Sequence, residues 1–211
     1  MPDFTYESMY TGPGLVFGID EAGRGPWCGP VVAACVCWPK QQIDANLATQ
    51  INDSKKLSAQ KREKLFPLIM NNSYVGIGQA SAQEIDDINI LQATFLAMDR
   101  ALQNAAKNGH TASFALIDGN RLPKWTLPCQ TLIKGDSLSL SIAAASIIAK
   151  VTRDHIMIEL AKHYPEYAWD KNAGYGTADH IAALKKYGIT PHHRKSYRPI
   201  RELLEQKKEG K

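Results

Sequence analysis

"GIDEAGRGPWCGPVV", residues 18–32, ends an apolar run on two adjacent carboxylates and follows them at once with a backbone rich in glycine and proline. The β-branched runs that overlap it, "LVFGI" (15–19) and "PVVAACVCW" (30–38), read as strands, and the Gly/Pro-rich link between them makes a hairpin the simplest arrangement. Consecutive side chains of an extended segment point to opposite sides, so Asp20 and Glu21 serve one site only if the chain turns immediately. The glycines at 23, 25 and 29 permit such a turn.

Outward from this stretch, "LSAQKREKLFPLIMNN" has helical spacing with Ser58 as N-cap, and Pro67 is expected to kink or end it. "SYVGIGQAS" reads as a third strand. The clearest helix runs from 82 to about 107, opened by a Ser81/Glu84 capping box, with Ile85, Ile88, Leu91, Leu96 and Leu102 as its apolar stripe and Gly109 at its end. "SFALID" and "QTLI" are short buried-strand candidates. "LSIAAASIIAKVTRDHIMIELAKHY" is a second long helix, whose small residues permit close packing on a sheet, closed by Pro165. A short helix follows, capped by Thr177 and stopped by Gly188, and "YRPIRELLEQKKEGK" ends the chain as a helix passing into a charged tail. Early strands, then strands alternating with helices, predict an α/β fold with a mixed sheet.

At 211 residues and 44% hydrophobic content the chain supports one sizeable core. "VVAACVCW" and "SIAAASIIA" fall far short of the ~20 residues of a membrane helix, and no signal segment opens the chain, so a cytoplasmic protein without membrane contact is expected. Cys28, Cys35, Cys37 and Cys129 lack paired metal spacing and read as reduced thiols, which argues against zinc. The net charge of +4 is mild. Its distribution is more telling: Lys185, Lys186, Arg194, Lys195, Arg198 and Arg201 interleave with His192, His193, Tyr187 and Tyr197, which fits a solvated face and a phosphate-facing patch equally well.

Four acidic residues stand where strands leave the core: Asp20 and Glu21 after "VFGI", Asp118 after "FALI", and Asp136 after "LIKG". If those strands are neighbours, their ends gather the carboxylates at one edge, the usual place for a site in α/β architecture. Two like charges about 4 Å apart repel by roughly 4 kcal/mol at an effective dielectric near 20. Converging carboxylates therefore need cations or partial protonation, and all-oxygen ligation favours Mg²⁺ or Mn²⁺. Taken singly, Asp118 before Gly119 fits a turn and Asp136 fits a helix cap.

Read together, "GIDEAGRGPWCGPVVAACV", "NDSKKLS", "EIDDINILQATFLAM", "LIDGNRLP", "KGDSLSLSIAAASIIAKVTRD", "GYGT" and "HHRKSYRPI" resemble bacterial ribonuclease HII, a type 2 ribonuclease H, in order from about residue 15 to 201. The resemblance implies an RNase H-like fold, a central mixed five-stranded sheet flanked by helices with a helical C-terminal region. It implies one catalytic domain over residues 1–211, with a short N-terminal extension and a charged C-terminal tail. It further implies an endoribonuclease that cleaves the RNA strand of RNA/DNA hybrids and cuts at ribonucleotides embedded in duplex DNA, leaving 5′-phosphate and 3′-hydroxyl ends. Asp20, Glu21, Asp118 and Asp136 become the catalytic and metal-binding residues for Mn²⁺ or Mg²⁺, two ions with substrate bound. Gly23, Arg24 and Gly25 become readers of the 2′-hydroxyl, and Tyr175 packs on the neighbouring sugar.

Lys55 and Lys56 fit either phosphate binding or a solvated surface, with one of them expected at the nucleic acid, whereas Asp154 pairs or faces solvent and His192 and His193 belong to no identifiable acid/base pair. Trp27, Cys28 and Ala173 depart from the family's usual residues, the last placing one phosphate contact in question. Two rivals are an inactive hybrid-binding protein, which the intact carboxylates argue against, and a ribonuclease HIII-like enzyme, whose added N-terminal domain does not fit the 17 residues before Gly18. "LLEQKKEGK" lacks the paired aromatics of a sliding-clamp peptide, so no such tether is expected, and the chain is expected to act as a monomer.

Overall fold

The computed structural model describes residues 1–209; the last two residues of the tail on which the sliding-clamp expectation partly rests lie outside the described residues. Five strands form one mixed sheet in the order β3-β2-β1-β4-β5. They are β1 (Leu15–Ala22), β2 (Val31–Cys37), β3 (Tyr74–Ala80), β4 (Ala112–Asp118) and β5 (Cys129–Leu132). The hairpin expected around the opening motif is present, β1 pairing antiparallel with β2, and β2 with β3. On the other side β1 runs parallel to β4, and β4 to β5.

Among the described residues eight α-helices flank the sheet: α1 (Thr5–Ser8), α2 (Ala45–Ala48), α3 (Ala59–Asn72), α4 (Ala82–Lys107), α5 (Leu140–His163), α6 (Trp169–Asn172), α7 (Ala178–Tyr187) and α8 (Arg198–Glu209). The strands alternate between two cores, as their period of two requires. Phe17, Ile19, Val31, Ala33, Cys35, Ala115 and Ile117 pack with α4. Ala34 and Val36 pack with α3 and α5 on the opposite face, where Leu116 meets Ile142. Cys35 and Cys37 are buried free thiols on one strand face, as their spacing predicts, and burial pushes them up to about 12 and about 11.

Close approach depends on missing side chains. A Cβ on Gly78 would lie 2.2 Å from the carbonyl oxygen of Ala97, and one on Gly76 2.1 Å from that of Ala101, so α4 rests directly on β3. Its buried face is accordingly alanine at Ala93, Ala97, Ala101 and Ala105, four residues apart. The expected stripe is corrected at Ile88, which is exposed, because Asn89 (φ 67°, ψ 163°) breaks the helix and restarts it by capping Leu91 and Gln92. The Ser81/Glu84 capping box is present as read. Pro67 does not end its helix: α3 continues to Asn72.

The N-terminal segment braces the start of α5. Glu7, buried, accepts from the Ser139 hydroxyl at 2.7 Å and the Ser141 N–H at 2.9 Å, while Asp3 exchanges backbone bonds with Leu138 and Leu140. A third core, under the C-terminal half of α5, joins Cys28, Met157, Trp169, Leu184 and Ile200. No described helix is long and apolar enough to cross a membrane.

Substituting Gly78→Ala should force α4 off β3 and lower stability by about 1–3 kcal/mol, the usual cost of overpacking. A urea unfolding curve measures this, and an unchanged midpoint would contradict the close contact.

Candidate active site

Ile19 lies opposite Ile117 in the parallel β1–β4 ladder, so the residues that follow, Asp20 and Asp118, stand side by side. Alternation turns both to the α5 face. The chain then passes β5 and a left-handed Lys134 (φ 57°) into the short 3₁₀ turn Gly135–Ser137, which delivers Asp136 to the same place. One carboxylate oxygen from each of Asp20, Asp118 and Asp136 lies within 4.8 Å of the others. Asp136 is not the cap of α5, as a lone reading of it allows; Ser139 is, accepting from the Ile142 N–H. Asp118 also has a local role, accepting from the Gly135 N–H at 2.7 Å, which ties the β4 end to the turn carrying Asp136.

Glu21 lies outside this trio. The strand continues through it to Ala22, its side chain emerges on the other face, and its carboxylate accepts from Arg24 at 3.1 Å. It still shares a cleft of about 310 Å³ with Asp20, Gly23, Arg24, Gly25, Lys55 and Tyr175.

Electrostatics make the trio a demanding arrangement. Asp20 is only 4% exposed, and burial, then repulsion from Glu21 and Asp118, holds its carboxyl well above the usual range. Burial and Asp118 likewise raise Asp136, and burial raises Glu21 against the opposing pull of Arg24. Lys55 stands 3.8 Å from Asp136 at the trio's edge and is largely exposed, so it offsets little of this. Three carboxylates with no nitrogen or sulfur donor suit a hard divalent cation, which would relieve the repulsion.

The loop of residues 23–30 is held from beneath by two buried arginines that bind backbone carbonyls in place of a carboxylate. Arg153 of α5 donates to the carbonyls of Pro30, Ala173 and Cys28, each at 3.0 Å. Arg194, 0% exposed, donates to Gly29 (3.0 and 2.9 Å), Arg24 (3.0 Å) and Gly23 (2.6 Å), and to the Tyr197 hydroxyl. Gly23 (φ 97°) is required here, since a Cβ would meet the Arg153 guanidinium at 2.0 Å. Burial pushes Arg153 down to about 10, which leaves it charged at neutral pH.

The basic segment after Lys185 is therefore not one phosphate-facing patch. Arg194 and His193 turn inward because the glycine loop and α7 offer them hydrogen-bond partners, while Lys185, Lys186, Lys195 and Arg198 stay outside. Lys55 lines the cleft; Lys56 instead donates to the Ser137 hydroxyl beside Asp136. Asp154 pairs with Lys150 at 2.6 Å. Trp27 acquires a packing role: a Cβ on Gly176 would strike its ring at 2.1 Å, so it lies flat on the turn that presents Tyr175. Lys150, Ser54 and Arg153 also line the cleft; Lys150 and Arg153 follow directly on the small, apolar run "SIAAASIIA" of α5, a signal for both.

Carboxylates gathered at the ends of adjacent parallel strands of a β3-β2-β1-β4-β5 sheet define a ribonuclease H-like enzyme, and solved structures of that kind share the fold. The ribonuclease H2 of Pyrococcus horikoshii OT3 superposes with a TM-score of 0.73 at 27% identity, covering 91% of this chain and 98% of its own. The ribonuclease HII of Archaeoglobus fulgidus, solved in complex with PCNA, gives 0.69 at 25% identity, covering 87% and 95%. The chain belongs to the ribonuclease HII family, whose model matches residues 17–200. It is 53% identical to the ribonuclease HII of Rhodospirillum rubrum over 97% of this chain and 92% of that protein. The family is metal-dependent, in keeping with the buried acidic trio.

Arg194→Met should cost about 3 kcal/mol or more, because each buried acceptor left unpaired costs about 1–3 kcal/mol. Chemical unfolding reads this directly, and a loss below 1 kcal/mol would mean the loop holds without its guanidinium.

Proposed function

We propose that the chain hydrolyses the RNA strand of RNA/DNA hybrids, and cuts duplex DNA at embedded ribonucleotides, at the trio Asp20, Asp118 and Asp136. The observation that carries this reading is their convergence beside a cleft whose remaining lining includes Gly23–Gly25 and the half-exposed Tyr175. Asp20, Asp118 and Asp136, joined by Glu21 once substrate displaces its Arg24 partner, would hold Mn²⁺ or Mg²⁺. Two such ions, when bound with substrate, supply an acidified water for attack and charge stabilisation for the departing oxygen.

The chain's own groups do the rest. Asp118 and Asp136 are held in register by the Gly135 N–H, so their oxygens are preorganised before substrate arrives. The carbonyls of Gly23 and Arg24 point at Arg194, and across a trans peptide the next N–H points the opposite way. The N–H groups of Arg24 and Gly25 are thus aimed away from Arg194, where a 2′-hydroxyl oxygen could accept from them, and that hydroxyl is what distinguishes RNA from DNA at one position. Arg24, with its guanidinium half exposed, can exchange Glu21 for a phosphate. Tyr175 is 51% exposed, and its ring lies 3.5 Å from where a Gly25 Cβ would be, so a sugar beside the loop would rest on it. Lys55 and Lys56 flank the acidic trio and would neutralise phosphates next to the scissile one. Attack on phosphorus in line with the P–O3′ bond leaves a 5′-phosphate and a 3′-hydroxyl.

Every residue in this scheme comes from one polypeptide, so a monomer suffices. Asp118→Asn should lower kcat by at least about 100-fold, as expected for loss of a carboxylate that would hold the metal, with the melting temperature and hybrid affinity nearly unchanged. The assay is cleavage of a duplex carrying a single ribonucleotide with Mg²⁺, with Mn²⁺ and with chelator. A fully active variant, or full activity in chelator, would refute the trio as the reaction centre.

A further inference from the structure

We infer that His180 and His193 form a buried hydrogen-bond relay that positions Tyr175 against the glycine–arginine–glycine loop, which makes both histidines positioning residues for ribose recognition. The inference rests on the reading of Tyr175 as a substrate-contacting residue.

The direction of the relay follows from donors that have no choice. The Thr190 N–H reaches His193 Nδ1 at 2.9 Å, and a backbone N–H can only donate, so Nδ1 carries no proton and a neutral His193 holds its proton on Nε2. That nitrogen lies 3.0 Å from His180 Nε2, which must accept, as it also must from the indole N–H of Trp169 at 3.3 Å. His180 therefore bears its proton on Nδ1 and donates it to the Tyr175 carbonyl at 2.9 Å. The Thr177 N–H takes the second lone pair of that carbonyl, also at 2.9 Å, so the carbonyl is saturated. A further proton on His180 would set N–H against N–H at 3.0 Å between the rings, and one on His193 Nδ1 would face the Thr190 N–H at 2.9 Å. Both rings are buried, and burial pushes His180 below its ordinary value and His193 down to about 4, in agreement with a neutral pair.

The relay's two ends belong to the two recognition elements. His193 forms an antiparallel bridge with Cys28, the His192 carbonyl accepts from the Gly29 N–H at 2.9 Å, and the Arg194 N–H donates to the Trp27 carbonyl at 2.9 Å. This end moves with the loop of residues 23–30. The other end is the backbone of Tyr175 itself, in a turn between Gly174 (φ 82°) and Gly176. Trp27 N–H to the Gly174 carbonyl ties the turn's near side; the imidazole pair ties the residue whose ring meets the sugar. This also gives Cys28 and His193 an account that the motif alone does not supply.

The test is a double-mutant cycle on kcat/KM for a duplex with one ribonucleotide, using His193→Leu, His193→Gln, Tyr175→Ala and the His193→Leu/Tyr175→Ala pair. A glutamine amide can still donate to His180 Nε2, and leucine cannot. His193→Leu should lose about tenfold to a hundredfold, the scale of a small misplacement at a site; His193→Gln should recover most of it, and leucine should cost little more once Tyr175 is alanine. Equal losses in both backgrounds, or glutamine no better than leucine, would overturn the relay. Ring ¹⁵N chemical shifts of the native protein provide a readout that does not depend on any variant folding: Nε2–H at His193 and Nδ1–H at His180 support the relay, and the opposite tautomers refute it. If Tyr175→Ala leaves kcat/KM unchanged, the reading of Tyr175 falls, whereas the leucine-against-glutamine comparison and the tautomers still judge the relay.

Discussion

The parallel pairing of β1 with β4 is the constraint on which the site depends. Once Ile19 and Ile117 are opposite one another, Asp20 and Asp118 emerge together on the α5 face, where burial and then repulsion from Glu21 and Asp118 hold the Asp20 carboxyl well above its usual range. Neither hydrophobic packing nor the ladder's hydrogen bonds relieve that repulsion. The fold therefore stores an electrostatic cost at the strand ends, which a divalent cation is suited to offset. α5 lies close because residue 18 is glycine, where a Cβ would meet the Ile142 nitrogen at 2.3 Å, and the turn leading into that helix brings Asp136 to the same point.

A second arrangement gives the glycine loop beside the acidic trio a support of its own. Arg153 and Arg194 are desolvated cations, and a buried guanidinium is tolerable only when its donors are used. Here they are used on the inward carbonyls of the glycine loop and the turn beside it, which leaves the N–H groups of Arg24 and Gly25 facing away from Arg194. The loop is thus rigid from below and open from above. Glycine at 23 serves this geometry twice, by its positive φ and by the room it leaves for Arg153.

Most of the elements were legible because local chemistry announces them: the Ser81/Glu84 box, the Ser58 and Thr177 caps, the β-branched apolar run of β2. The differences have local causes of their own. Pro67 removes one helical hydrogen bond, and the rest of α3 tolerates the loss because Leu65 and Ile69 on either side of it are packed in the core. Ile88 belongs to the apolar spacing yet is exposed, since Asn89 reverses the backbone beside it. Arg194 and His193 read as surface charge in sequence because nothing in their neighbours reveals that carbonyls 165 and more residues earlier, and an imidazole 13 residues earlier, will meet them.

By itself the sequence determined which residue types stand at strand ends, where helices begin, and, through its resemblance to one family, which four carboxylates to watch. Only the tertiary structure decided that Asp20, Asp118 and Asp136 form the close trio while Glu21 turns toward Arg24, that the motif's carbonyls are held by two buried arginines, and that Trp27 and Cys28 connect the glycine loop to the Tyr175 turn. The reason is physical: periodicity and capping act over a few residues and are written in local order, whereas side-chain direction at a strand end and the fate of a buried charge depend on partners more than a hundred residues away.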